Sequence, residues 1–130
     1  MYNIKIYKKN HLKSNSIPSK NIAIFNNYYN LQLNFKNHLK KENSLIFNNC
    51  DELEININTN ISRIEFYNCK NIILTNKKIL GGIIIKNSDI SLKNNDTIYN
   101  LEIEYSNLSI NSHNYKKIKY KNNFYSNIFI

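Results

Sequence analysis

Residues 45–57, LIFNNCDELEINI, and residues 62–74, SRIEFYNCKNIIL, carry the same phrase. It reads apolar-x-apolar-x-Asn-small, and its clearest copies are Leu45/Phe47/Asn49/Cys50, Ile64/Phe66/Asn68/Cys69 and Ile83/Ile85/Asn87/Ser88. Leu101/Ile103/Tyr105/Ser106 and Ile118/Tyr120/Asn122/Asn123 continue it forwards. Ala23/Phe25/Asn27/Tyr28 continues it backwards, and Ile4/Ile6/Lys8/Lys9 does so loosely. The last positions of these phrases are 9, 28, 50, 69, 88, 106 and 123, so the steps are 19, 22, 19, 19, 18 and 17. A steady period of this size marks a stack of structural repeats.

Within each phrase the apolar residues alternate with polar ones, as in Leu53-Glu54-Ile55-Asn56-Ile57. That period of two belongs to a strand with one buried face. A second apolar pair follows each phrase: Leu31/Leu33/Phe35, Leu53/Ile55/Ile57, Ile72/Leu74, Ile90/Leu92, Leu108/Ile110 and Ile128/Ile130. A third apolar point closes some units at Ile61, at Ile79 or Leu80, and at Ile98. Three faces in about nineteen residues describe one coil of a parallel β-solenoid. The scarcity of hairpin signals agrees: Gly81-Gly82 is the one glycine pair, and neither Asn-Gly nor Asp-Gly occurs. The prediction is one all-β domain over residues 1–130, a right-handed β-helix of six to seven ~19-residue coils with a loop inserted at residues 36–44. At ~4.8 Å per coil, seven coils make a stack of roughly 30 Å.

Two columns follow from the alignment. If Ile64 and Phe66 point inward, then so does Asn68, and Asn27, Asn49, Asn68, Asn87 and Asn122 form an internal amide ladder. Beside it, Cys50 lies over Cys69, followed by Ser88 and Ser106. Parallel in-register strands set a poor geometry for a disulfide, so the pair reads as free thiols in a reducing, intracellular compartment, cytoplasmic or within a viral or organellar assembly.

Composition bounds the partners. Asn (28) and Ile (23) dominate, Lys outnumbers Arg 17 to 1, and the net charge is +9. Residues 1–44 carry +7, residues 45–110 carry −2 and residues 111–130 carry +4. Asn, Ile, Lys and Tyr all have A/T-rich codons, so part of this skew reports genome composition. No apolar run has the length of a signal peptide or of a membrane span, so no membrane partner is expected. The acid-free first forty-one residues share the composition of an organelle-targeting segment, but Ile4, Ile6, Ile22 and Ile24 alternate as strands do.

At residues 45–57 and 62–74 the chain resembles the β-helix of the cyclase-associated protein C-terminal and tubulin cofactor C type, whose rung reads apolar-x-apolar-x-x-Cys-x-x-apolar. The resemblance covers residues 45–110 well and the rest loosely. It implies actin-monomer binding on one branch, and on the other GTPase stimulation by an arginine finger, which only Arg63 could supply. The Gln-x-Arg context of that finger is missing, as are the glycine-containing rung and proline-rich neighbours of the actin branch.

No catalytic motif stands out. His11, His38 and His113 lie far apart with no metal-ligand spacing, and the strand carboxylates Glu54, Glu65, Glu102 and Glu104 do not compose a hydrolytic pair. The expectation is a non-enzymatic protein, without cofactor or small-molecule substrate. The outward column reads Lys5, Ile24, Ile46, Glu65, Ile84, Glu102, Lys119, and its three isoleucines ask for a cover. The final Ile128-Phe129-Ile130 adds an apolar end, where a further strand or a second copy could pair. These six apolar residues are the candidate contacts of a scaffold in a larger assembly, with a protein partner or a homo-oligomer. A second reading is an RNA-associated structural protein, such as a ribosome-associated subunit, using Lys8, Lys9, Lys13, Lys116, Lys117 and Lys119. Actin-monomer binding is a third.

Overall fold

A computed structural model describes residues 4–6, 22–35, 43–111 and 118–130; side chains are described for all of these except 4–6 and 120–122. Thirteen strands follow one another without a helix among the described residues. They are β1 (Ile4–Ile6), β2 (Ile22–Asn26), β3 (Tyr29–Phe35), β4 (Ser44–Asn48), β5 (Asp51–Ile57), β6 (Ile61–Tyr67) and β7 (Lys70–Asn76). After them come β8 (Leu80–Lys86), β9 (Asp89–Leu92), β10 (Ile98–Glu104), β11 (Asn107–Ile110), β12 (Ile118–Phe124) and β13 (Asn127–Phe129).

The even strands β2 to β12 make one six-stranded sheet, and the odd strands make a seven-stranded sheet facing it. Each even strand and the odd strand after it form one coil, so six coils stack and the chain makes about five turns from first to last. Every neighbour from β2 onward is parallel, with Leu45 beside Ile64, Ile64 beside Ile83 and Ile83 beside Leu101. Only β1 breaks the rule. It pairs antiparallel with β3, Ile4 opposite Phe35 and Ile6 opposite Leu33, so it caps the first coil and is not a seventh one. Lys5 consequently sits opposite Asn34 and does not belong to the outward column of the other sheet.

The core is built in columns. Phe25, Phe47 and Phe66 stack with ring centroids 4.8 and 5.4 Å apart, and Ile85 and Ile103 continue the column. Leu31, Leu53, Ile72, Ile90 and Leu108 run up the opposite sheet. All of these side chains are buried, and at about 25 cal/mol per Å² of apolar surface each contributes roughly 1.5–3 kcal/mol. Ile61, Leu80, Ile98 and Ile118 form the third apolar column. It lies within β6, β8, β10 and β12, ahead of a bend where the alternation breaks; in β6 and β10 two exposed residues in a row mark it. At that bend a Cβ on Gly81 would meet the Ser62 carbonyl oxygen at 2.5 Å, so the backbones approach as closely as they do because residue 81 has no side chain.

The tight corner between the two sheets shows what the Asn column is for. Asn27, Asn49, Asn68 and Asn87 are exposed and have φ of 61°, 53°, 55° and 49°. They do not point inward, so the expected internal amide ladder is absent there. The corner needs a left-handed residue, and Asn is the non-glycine residue that tolerates this best. Tyr105 and Tyr125 hold the same place in the last two coils, with φ of 50° and 46°. Buried amides occur elsewhere: Asn95 Nδ2 donates to Asn76 Oδ1 and, at 3.1 Å, to the Leu74 carbonyl, where the Phe35–Ile57 column gives way to Asn76.

The last coil also departs from the sequence reading. Ile118 pairs with Ile98, a register shift follows, and the corner falls at Tyr125-Ser126 instead of Asn122-Asn123. Of the loop expected at 36–44, residues 36–42 lie outside the described residues, and Ser44 already belongs to β4.

Candidate interaction surface

Behind the left-handed corner residue stands Tyr28 in the first coil and a small residue in each later one: Cys50, Cys69, Ser88, Ser106 and Ser126. Each hydroxyl donates to the carbonyl two residues earlier, Ser88 to Lys86 at 2.8 Å and Ser106 to Glu104 at 2.8 Å. Each also accepts the N–H of its counterpart one coil earlier: Cys69 N–H to Ser88 Oγ at 2.9 Å, and Ser88 N–H to Ser106 Oγ at 3.0 Å. The thiols sit in the same geometry, Cys69 Sγ 3.4 Å from both the Phe47 and Tyr67 carbonyls. Both cysteines are free and buried. The two thiols titrate as a pair: the hydrogen bond between them, with burial added, pushes the Cys50 thiol far above its ordinary range, and the same bond lowers the Cys69 thiol.

The outward face of the even sheet carries the column Ile24, Ile46, Glu65, Ile84, Glu102. Asn122, and not Lys119, comes next to Glu102. Ile24 is 53% exposed because no coil precedes it on that sheet among the described residues, whereas Ile46 and Ile84 are half-buried by their neighbours. Glu65, expected to be exposed, is only 8% so. Arg63 Nε lies 3.3 Å from one of its carboxylate oxygens, and the Tyr67 hydroxyl donates to the other. Burial first, then that bond to Glu65, pushes the Tyr67 hydroxyl up to about 12. Arg63 is thus held to its own sheet face. Glu104 pairs with Lys86 at 3.5 Å, and Glu54 lies on the opposite sheet, so the strand carboxylates do not converge.

The apolar surface collects at the ends of the stack. Ten large hydrophobic side chains are exposed among the described residues; three of them (Ile22, Ile24, Tyr29) lie in the first coil, six in the last two, and Ile79 between. The six are Tyr99, Tyr105, Phe124, Tyr125, Phe129 and Ile130. Ile128 turns inward and is half-buried beside Leu108, while Phe129 and Ile130 are 58% and 65% exposed. Phe124 packs on Tyr125 with centroids 4.3 Å apart, and Tyr105 stacks on Tyr125 at 5.6 Å. The sequence reading missed this tyrosine–phenylalanine group. Its signal was there, because Tyr105 and its successor Tyr125 occupy the place of the corner Asn.

Of the proposed nucleic-acid contacts, Lys8, Lys9, Lys13, Lys116 and Lys117 lie outside the described residues. Lys119 is exposed, its ammonium 5.6 Å from the centre of the Tyr99 ring. Among the described residues no three His, Cys, Asp or Glu side chains group as a metal centre requires, and no helix is long and apolar enough to cross a membrane. No family model, curated protein or solved structure matches the chain.

Proposed function

We propose that this chain is a rigid, non-enzymatic β-solenoid scaffold that binds a protein partner through the ends of its stack, inside a reducing compartment. The observation that carries this reading is that, among the described residues, nine of the ten exposed large hydrophobic side chains lie in the first and the last two coils. A stack protects its middle by construction and leaves its ends to be covered by something else. The likeness of residues 45–110 to rungs of the cyclase-associated and tubulin cofactor C β-helices supports a role in contact with another protein. On the far side of the corner, the buried Cys50 and Cys69 thiols suit a reducing setting.

Affinity capture from the native source tests the reading, with and without nuclease and with the variants Ile24→Lys and Phe129→Lys. A scaffold retains a protein partner after nuclease and loses it in at least one variant. Retention that disappears with nuclease assigns the basic ends to RNA, and capture of actin alone assigns the chain to the actin-binding branch; either outcome overturns the scaffold reading.

A further inference from the structure

Two of the corners hold a thiol where the later coils hold a hydroxyl. Cys50 lies between β4 and β5 and Cys69 between β6 and β7, so both belong to corners and neither to a strand. Asn48 beside Tyr67 and Asp51 beside Lys70 bracket them, which places Cys50 and Cys69 side by side in adjacent coils. Neighbouring coils lie about 4.8 Å apart, within the roughly 4.4–6.8 Å that separates the Cα atoms of a disulfide. The side-chain directions that hinder a disulfide between parallel strands hold within the strands, and neither cysteine is in one.

The two sulfurs are not equivalent. In the serine coils the N–H one coil earlier donates to the hydroxyl oxygen, Cys69 N–H to Ser88 Oγ at 2.9 Å and Ser88 N–H to Ser106 Oγ at 3.0 Å. Cys69 Sγ likewise faces the corner of the coil before it. It accepts from the Cys50 thiol above all, with the Cys50 and Asn49 amides behind, and these donors hold the Cys69 thiol below its usual value against the opposing effect of burial. While Cys69 keeps its proton, the Phe47 and Tyr67 carbonyls are there to accept it, each 3.4 Å from Sγ. Cys50, as the donor of the pair, keeps its own proton. Cys69 is thus the nucleophile, and Cys50 the thiol that follows it. Both sulfurs are buried, one residue behind the exposed Asn49 and Asn68. An oxidant of nearly the size of water needs only a brief local opening of that corner to reach them.

We propose that Cys50 and Cys69 form a thiol pair oxidised by hydrogen peroxide, which closes to a disulfide and staples the second coil to the third. The Cys69 thiolate attacks one peroxide oxygen. An S–O bond forms, the O–O bond breaks, and the hydroxide that leaves takes up the proton that Cys69 gave away. The sulfur is oxidised to a sulfenic acid and the peroxide is reduced. The Cys50 sulfur then attacks the Cys69 sulfur. The S–S bond forms, the S–O bond breaks, and the hydroxyl departs as water with the Cys50 proton. Two thiols and one peroxide yield one disulfide and two waters. A thiol reductant reverses the change by exchange, as befits a transient disulfide in a reducing compartment. The staple adds a covalent bond between two coils that parallel pairing joins, and it needs neither end of the stack.

The test exposes the folded 130-residue chain to hydrogen peroxide, blocks the remaining thiols with iodoacetamide and digests the product with trypsin in the absence of reductant. Cleavage after Lys41, Arg63 and Lys70 puts Cys50 in residues 42–63 and Cys69 in residues 64–70. These two peptides are expected to appear joined as one mass, from a chain that stays monomeric, and to separate with dithiothreitol. That result needs no variant. In Cys50→Ser the reaction stops at the Cys69 sulfenic acid, which dimedone captures; in Cys69→Ser the oxidation of Cys50 is at least ten-fold slower than that of Cys69 in Cys50→Ser. Both variants leave a hydroxyl of the kind that Ser88 and Ser106 already hold in this column. The absence of the joined mass from the folded chain, its appearance only in urea, disulfides between chains, or oxidation of Cys50 as fast as that of Cys69 overturns the proposal.

Discussion

At the scale of the residue, the recurring Asn is a backbone requirement. The corner demands positive φ, and the chain has only two glycines, neither at a corner. Asn68→Gly therefore leaves the urea midpoint nearly unchanged, while Asn68→Val lowers stability by about 1–2 kcal/mol. Equal losses in the two variants would show that the side chain, and not the φ angle, is what matters there. Tyr67 gives a prediction in pH. Its folded pKa is raised, to about 12, so the fold favours the protonated hydroxyl. The stability it supplies is complete below the unfolded value near 10 and fades as pH climbs towards 12. In paired urea titrations, the advantage of the native chain over Tyr67→Phe shrinks across that window; an advantage that grows with pH would refute the assignment.

At the scale of the element, the bend in β8 brings the backbone of Gly81 close to that of Ser62 in the coil before. Gly81→Ala forces backbone movement against Ser62 and costs on the order of 1–3 kcal/mol. Gly82→Ala meets Asn100 at an ordinary 3.5 Å and is neutral or stabilises by up to about 1 kcal/mol. Thermal melts of the two variants check the contrast, and equal losses would contradict the placement of the bend. Strands were legible in the sequence because Ile-x-Phe alternation survives any register. Direction was not: Ile4-Lys5-Ile6 reads the same whether β1 runs with β3 or against it. The Asn column was misread because period two was carried one step past the strand, into a residue that leaves it. The last corner was misread because Ile118 opens the third column, so the phrase alignment placed the corner Asn too early. For the candidate site, Phe129 and Ile130 were legible as an apolar run, whereas the Tyr105–Phe124–Tyr125 group needed the true register to come together.

At the scale of the whole molecule, a stack has nearest-neighbour stability. Each middle coil is held on two sides, and an end coil on one. Backbone amides of β5 to β8 therefore exchange most slowly, and those of β12 and β13 among the fastest. Uniform exchange along the chain would mean that the domain opens all at once, not from its ends. The same geometry concentrates the exposed apolar side chains of the described residues at the ends, so in the proposed function stability and partner binding draw on the same coils. On the proposed function, a partner bound at the last coils slows exchange in β10 to β13 and leaves β4 to β6 as before.

Parallel, in-register stacking joins every coil to the next, and proton–proton Overhauser contacts along β4, β6 and β8 measure it directly. Contacts from Phe47 to Phe66 and from Phe66 to Ile85, joining amide and α protons in the parallel pattern, are the expected result. Close α-proton pairs between β4 and β5, the mark of an antiparallel hairpin, would contradict it.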